Sequence, residues 1–199
     1  KNKTITNDKI KKVFNDCLNL IDDLIDDTQY GYSHIYRLHR EDMKCDRHHK
    51  IFNETKIIPE NCFSCYKVQA NPRNVIDLIK LYFVFDMLRL KNNNNRKTFC
   101  ETRPYVKSTY VGNIYCYNYE EAKNVKEQLV KLYTVYIDKS YKIWIKRGCS
   151  EFGLEYEDYK EVDASSENFM KFDSKWKKKE DDADKNILIR DKISKRLSL

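Results

Sequence analysis

Apolar positions recur at helical spacing in three stretches of the chain, and between these stretches they alternate with polar positions as in β-strands. The first helical stretch covers residues 10–25 and follows Thr6 and Asn7, either of which can cap a helix. The second follows Asn71-Pro72, where asparagine is a good N-cap and proline favours the first helical position. These signals predict an N-terminal helix and a central helix.

The third helical stretch opens at Asn118 and carries Glu121 three residues later, which is a variant of the capping box. Short runs with strand character flank the second and third helices, at residues 66–69, 97–103, 110–117 and 141–146. In chain order, residues 65–150 read as β-α-β-β-α-β. This order predicts an α+β domain with a ferredoxin-like sheet.

In such a fold both helices cover the same face of the sheet, so alternate strand residues point toward the helices or away from them. The expected helix-facing residues are Tyr66, Val68, Ile114, Cys116, Ile143 and Ile145. The opposite face is expected to be aromatic and basic. It collects Lys67, Gln69, Phe99, Glu101, Arg103, Asn113, Tyr115, Tyr117, Lys142, Trp144 and Lys146.

A cysteine-rich and histidine-rich segment precedes this predicted domain. Cys45-Asp-Arg-His48 and Cys62-Phe-Ser-Cys65 are two pairs with a two-residue gap, the spacing that lets two turns hold one tetrahedral zinc ion. Mixed Cys and His ligands select zinc. The residues that flank Cys45, Cys62 and Cys65 are polar and typical of turns, which favours a role as metal ligands over burial in the core. The sequence therefore predicts a zinc site at Cys45, His48, Cys62 and Cys65.

Two alternatives to this ligand set stay open. The cysteines could be small core residues, since free cysteine is among the most buried residue types. His49 or His39 could also replace His48 as the fourth ligand. A disulfide between Cys62 and Cys65 is disfavoured, because 7 cysteines without a secretory pattern are typical of a reducing compartment. We therefore expect a cytoplasmic protein.

Length and composition limit the function classes. A chain of 199 residues suffices for one sizeable core plus extensions. We divide it into an N-terminal helix and zinc knuckle (1–64), a ferredoxin-like domain (65–150) and a charged extension ending in an amphipathic helix (151–199). The net charge of +7 suits nucleic acid or another acidic partner, and no apolar run approaches membrane-spanning length. The frequent Lys, Asn, Ile and Tyr are also typical of an AT-rich coding sequence.

Catalytic patterns are few. With 4 glycines, the loops that cradle nucleotide phosphates are nearly excluded. One cluster, Arg147-Gly-Cys149-Ser-Glu, follows a predicted strand and could set a thiol beside a cation. A cysteine nucleophile also needs a general base, and the only histidines of the chain lie in its N-terminal third. An enzyme that uses Cys149 or an open metal site is the third hypothesis.

The residues from Val111 to Ala122 resemble the third strand and following helix start of RNA-recognition-motif domains. A glycine, Gly112, precedes alternating aromatics, and the next helix opens with an acidic pair and alanine. Asn113 stands where the family has an aromatic residue, and Val111 where it has a basic one. The resemblance implies base stacking by Tyr115 and Tyr117, with phosphate neutralisation by nearby lysines.

Together these patterns predict a small protein that binds RNA or single-stranded DNA and carries a structural zinc ion. The expected contact residues are Lys67, Arg103, Tyr115, Tyr117, Lys142, Trp144 and Lys146. The alternative is a protein-interaction or assembly subunit, in which the same aromatics pack beneath the terminal helices. The sequence does not say which partner or base sequence would be bound.

Overall fold

The computed structural model describes residues 34–39, 43–101, 103, 106–140 and 142–197, with residues 8, 12 and 15, and side chains up to residue 190. Most of the predicted N-terminal helix lies outside the described residues. The strands are β1 (His34–Leu38), β2 (Tyr66–Ala70), β3 (Arg96–Cys100), β4 (Tyr110–Cys116) and β5 (Ile143–Arg147). The helices are α1 (Cys45–Thr55), α2 (Val75–Met87), α3 (Tyr119–Tyr136), α4 (Phe152–Glu155) and α5 (Trp176–Leu197), with 3₁₀ turns at Glu60–Phe63 and Glu157–Lys160.

The five strands form one antiparallel sheet in the order β1-β3-β4-β2-β5. The predicted α+β class is confirmed. From β2 to β5 the elements follow one another as β-α-β-β-α-β. The edge strand β1 was not predicted, because its five residues sit in a tyrosine-rich passage without a clear alternation of apolar and polar positions.

The N-cap predicted for α3 is observed, and the N-cap predicted for α2 is not. At α3, Asn118 Oδ1 accepts a hydrogen bond from the Glu121 amide at 2.8 Å, and Glu121 Oε2 accepts one from the Tyr117 amide at 2.7 Å, so the capping box is confirmed. At α2 the predicted cap was wrong. Asn74 caps the helix by accepting from the Asp77 amide at 2.9 Å, and Asn71 belongs to the sheet side of the turn.

The main core lies between the sheet and helices α2 and α3. All six predicted helix-facing residues belong to it, with Ile145 only partly buried, so the predicted strand parity is confirmed. They pack against apolar side chains of the two helices, which include Leu81, Val84, Phe85, Val125 and Leu129. At Gly112 a side chain would collide with Leu81, because an added Cβ would lie 2.4 Å from Leu81 Cδ2. Gly112 therefore lets α2 approach the sheet closely.

A second packing region joins α1 to the C-terminal segments. Phe52, Ile58, Cys62, Cys149, Phe152 and Tyr159 form one buried cluster, and Ile51, Ile57, Ala183 and Ile187 form another between α1 and α5. Arg47 pairs with Glu180 at 2.9 Å across the α1–α5 contact. Further along α5, Ile189 is largely exposed. No described helix combines the length and apolarity needed to cross a membrane.

Candidate nucleic-acid interface and cysteine cluster

The sheet face opposite α2 and α3 carries two rows of side chains across β4, β2 and β5. Strand register places Asn113, Gln69 and Trp144 side by side in one row. The next row holds Tyr115, Lys67 and Lys146. Side chains opposite one another on neighbouring antiparallel strands are close enough to act on one ligand. Four of the seven predicted contact residues thus share this face.

A cavity of about 450 Å³ lies against this face. Its floor and walls come from β2, β3, β4 and β5 and from the segments that follow β3 and β5. Trp144, Lys146, Lys67 and Arg103 line the cavity, whereas Tyr117 and Lys142 are not among the described residues around it. The remaining lining residues are Gln69, Asn71, Phe99, Glu101, Val106, Lys107, Ser108, Val111, Asn113, Ser150, Glu151, Leu154 and Lys160.

The charge of the lining is positive. Among the described residues it contains the five cations Lys67, Arg103, Lys107, Lys146 and Lys160, against two carboxylates. Both carboxylates contact one arginine, since Arg103 binds Glu101 at 2.6 Å and Glu151 at 2.7 Å. The lysines therefore set the sign of the field inside the cavity.

Lys67 is the most buried of these cations. Its side chain is 6% exposed and its Nζ donates a hydrogen bond to Ser150 Oγ at 2.6 Å. Burial lowers the pKa of Lys67 to about 8; Lys146 and Arg103 add to the lowering, while Glu151 and Cys149 oppose it. The position of Lys67 on β2, on the sheet face away from the helices, was predicted. Its burial was not, because Ser150, which it contacts, is far away in sequence.

Three amide side chains lie close to Lys67. Gln69 and Asn71 are buried, and Gln69 Nε2 donates to Asn71 Oδ1 at 2.9 Å. Asn113 is 4% exposed, and its Oδ1 has no hydrogen-bond partner among the described residues. Buried polar atoms are normally satisfied. An unpartnered amide at the lining of a cavity is consistent with a ligand-binding surface.

Two predicted aromatic contact residues on the sheet, Trp144 in the cavity lining and Tyr115 outside it, differ in accessibility. Trp144 is 41% exposed, with the Lys146 ammonium 5.5 Å from its ring centre. Tyr115 is partly covered, with the Lys97 ammonium 5.7 Å from its ring centre, and burial raises the pKa of its hydroxyl. Each ring thus lies near a lysine ammonium, and Trp144 is the more exposed of the two.

The cysteines converge at the end of the sheet next to α1. A hydrogen bond with Cys149 and burial raise the pKa of the Cys62 thiol, burial raises that of the Cys65 thiol, and the charges of Cys149 and Cys45 add to both shifts. Cys149 Sγ lies 3.9 Å from His49 Nε2. A hydrogen bond from Cys62, opposed by burial and helped by His49, lowers the pKa of Cys149 to about 5. Cys62 and Cys149 pack in one buried cluster, and Cys45 and Cys65 lie near enough for their charges to act on Cys62, so three of the four predicted metal ligands lie in one region together with Cys149.

His48, the fourth predicted ligand, contacts a different part of the molecule. It is buried near Arg47, Glu180 and Asp184, and burial followed by the charge of Arg47 lowers its pKa to about 4. His49 is the neighbouring histidine that meets a thiol. Within the part of the chain that the structure describes, no three His, Cys, Asp or Glu side chains are already arranged as a metal site. Zinc binding stays a prediction.

Comparisons with known proteins do not identify a relative. No protein-family model matches the chain. Neither the curated proteins nor the solved structures gave a significant match. The features of the molecule that bear on its function are therefore the α+β fold, the lined cavity and the thiol cluster.

Proposed function

We propose that this protein binds single-stranded RNA or DNA on the sheet face that α2 and α3 leave uncovered. The observation that carries the proposal is the cationic cavity beside the exposed Trp144 ring. Proteins that bind single strands combine such positive grooves with aromatic rings on which bases stack. In this proposal Trp144 stacks on a base, and Lys146 and Lys107 contact phosphates.

We also propose that β2 to β5 form a ferredoxin-like unit, with β1 as an added edge strand. The strand order β3-β4-β2-β5 supports this proposal, since each strand is antiparallel to its neighbours and α2 and α3 connect non-adjacent strands. RNA-recognition-motif domains use a four-stranded sheet of this class to stack bases. Fold likeness alone does not establish function, so the cavity remains the main support.

Binding to a fluorescent single-stranded oligonucleotide tests the proposal. Trp144→Ala is expected to cost about 1–3 kcal/mol of binding free energy, comparable with one stacked base. Lys146→Ala is expected to weaken all sequences alike and to flatten the slope of log affinity against log salt by about one unit, because one phosphate contact is lost. Anisotropy titrations at several salt concentrations measure both effects.

Matched controls lie on the helix side of the sheet. Tyr136 and Lys131 are exposed on α3, so Tyr136→Ala and Lys131→Ala should leave affinity and salt slope unchanged. Equal losses at Trp144 and Tyr136 would contradict a specific platform. Absence of binding by the unmodified protein at moderate salt would reject the proposed function.

One observation favours the alternative of a protein-interaction subunit. Helix α2 exposes a row of apolar side chains, with Ile76 58% and Phe83 61% exposed, beside Val75 and Ile79. Contiguous exposed apolar side chains mark protein contacts more often than scattered ones do. The alternative predicts association through α2 without oligonucleotide binding, which sedimentation velocity with Phe83→Asp would detect.

A structural zinc ion held by Cys45, Cys62, Cys65 and a histidine is a separate proposal. Its support is the convergence of the three thiols, and ion binding would have to draw the side chains into ligand distance. Purified protein is expected to contain about one zinc, and chelation should increase amide exchange at 40–66 before the sheet, because binding energy there is folding energy.

Elemental analysis and hydrogen exchange measure these outcomes. His48→Gln and His49→Gln form a matched pair, because loss of zinc from one variant alone identifies the fourth ligand. A Cys149→Ser variant shows whether the additional thiol takes part. Metal-free protein with unchanged protection at 40–66 would reject the zinc proposal.

A further inference from the structure

Lys67 is held rigidly by the sheet. Its strand, β2, pairs with β4 on one side and β5 on the other, and Lys67 lies opposite Tyr115 and Lys146 in those two ladders. The side chain lines the cavity while it is nearly inaccessible to bulk solvent. A charged group in such a place is costly to bury unless an opposite charge and hydrogen bonds compensate it.

The described residues compensate the charge and the N–H donors of the Lys67 ammonium only in part. An ammonium has three N–H donors. Among the described residues, its one hydrogen bond goes to the neutral hydroxyl of Ser150. The nearby Glu151 carboxylate contacts Arg103 at 2.7 Å. A bound anion would supply the missing acceptors.

The rest of the cavity suits one nucleotide. A volume of about 450 Å³ is in the range of small-molecule pockets, which is too small for several nucleotides of a strand. Trp144 offers a ring face, and Asn113 and its neighbouring amides offer hydrogen bonds to a base or sugar. All of these groups line the cavity that Lys67 lines. An anionic, ring-bearing ligand of one-nucleotide size therefore fits both the charge and the shape.

We propose that Lys67 and Ser150 form a subsite for a phosphate monoester, so that the cavity takes the phosphorylated end of a single strand with its terminal nucleoside against Trp144. The inference rests on the proposed function and names the part of the strand that is recognised. A terminal phosphate carries almost two negative charges and three acceptor oxygens, whereas an internal diester carries one charge. The extra charge and acceptors match the partly compensated Lys67.

The test compares oligonucleotides of the same sequence with a 5′-phosphate, a 3′-phosphate or two hydroxyl ends. One phosphorylated end is expected to bind roughly 10-fold to 100-fold more tightly, as for a gain of one or two hydrogen bonds to charged groups. Lys67→Met should abolish this preference, so that the three oligonucleotides bind the variant with the same affinity within about twofold. Lys142→Met, at an exposed lysine outside the cavity lining, should keep the preference.

Ser150→Ala provides a second variant in case Lys67→Met fails to fold, because Ser150 is exposed and its loss should reduce the preference several-fold.

Competition by adenosine monophosphate but not by inorganic phosphate at equal concentration supports the nucleotide end. Equal competition by both would overturn it in favour of a free-phosphate site. Equal binding of all three oligonucleotides would overturn the subsite but keep the proposed function. Binding of the mononucleotide alone would support the subsite and reject strand binding.

Discussion

Arg147→Met is expected to lower the free energy of unfolding by about 3–5 kcal/mol, because four buried or partly buried oxygen atoms lose the hydrogen-bond donor that satisfies them. The Arg147 guanidinium is 3% exposed and donates to the carbonyl oxygens of Phe63 at 2.6 Å, Glu161 at 3.1 Å and Met170 at 3.3 Å. It also donates to the Tyr66 hydroxyl at 3.0 Å. Methionine fills a similar volume and leaves these acceptors unpaired, and each unpaired buried acceptor costs roughly 1–3 kcal/mol.

The same guanidinium packs on aromatic rings, which adds to the expected loss. Its central carbon lies 4.6 Å from the ring centre of Phe169, 5.0 Å from that of Tyr66 and 5.4 Å from that of Tyr159. Arg147 therefore connects the end of β5 to the turn before β2 and to the segment 159–170. Arg147→Lys keeps the charge but not the planar fork, so we expect an intermediate loss.

Urea unfolding of the full chain measures this effect. The matched control is Arg73→Met, because Arg73 is exposed and pairs with Asp138 at the surface, where such ion pairs contribute little. Its expected change is within about 0.5 kcal/mol. A loss at Arg147 below about 1 kcal/mol would contradict its role as the connection between these segments.

Ile114→Ala is expected to cost about 2–5 kcal/mol, because truncating a fully buried isoleucine leaves a cavity that the core closes only in part. Ile114 is 0% exposed, lies opposite Val68 in the β2–β4 ladder and opposite Arg96 in the β3–β4 ladder, and belongs to the core beneath α2 and α3. Ile145→Ala should cost less, since Ile145 is only partly buried on the edge strand.

Lys67→Ala is the control from the opposite sheet face and should be nearly neutral for stability. Truncation of the Lys67 side chain removes packing contacts and one hydrogen bond. It also removes the energetic cost of burying a charged group, so the two effects oppose each other. Chemical unfolding of Ile114→Ala, Ile145→Ala and Lys67→Ala gives the comparison directly. If Lys67→Ala were the costliest, the strand register would be shifted by one residue and the two faces exchanged.

The local pattern was sufficient to predict the α+β class, the helices near 75–87 and 119–136 and the inward-facing strand residues. These features depend on periodicities of 3.6 and 2 residues and on capping signals within four residues, all of which are contained in short segments. Where two local signals competed, the sequence was less informative. Asn71-Pro72 and Asn74 are both acceptable helix starts, and the structure uses Asn74.

The candidate site was predicted in position but not in environment. Strand parity placed Lys67, Tyr115 and Trp144 on one face, as observed. It did not show that Lys97 on β3 lies near the Tyr115 ring or that Ser150 accepts a hydrogen bond from Lys67. The periodicity of one strand gives neither its neighbours in the sheet nor the course of the segment after β5. Trp144 stayed open because its strand, β5, is the sheet edge.

The sequence by itself determined helices α2 and α3, strands β2 to β5, which strand residues face the core, and which three cysteines are candidates for one site. Only the tertiary structure decided that His49 rather than His48 meets a thiol and that Cys149, about a hundred positions further along the chain, joins the cluster. It also decided how deeply Lys67 is buried. The physical reason is that period and capping are local, whereas burial and pairing depend on contacts between segments far apart in sequence, which no short pattern encodes.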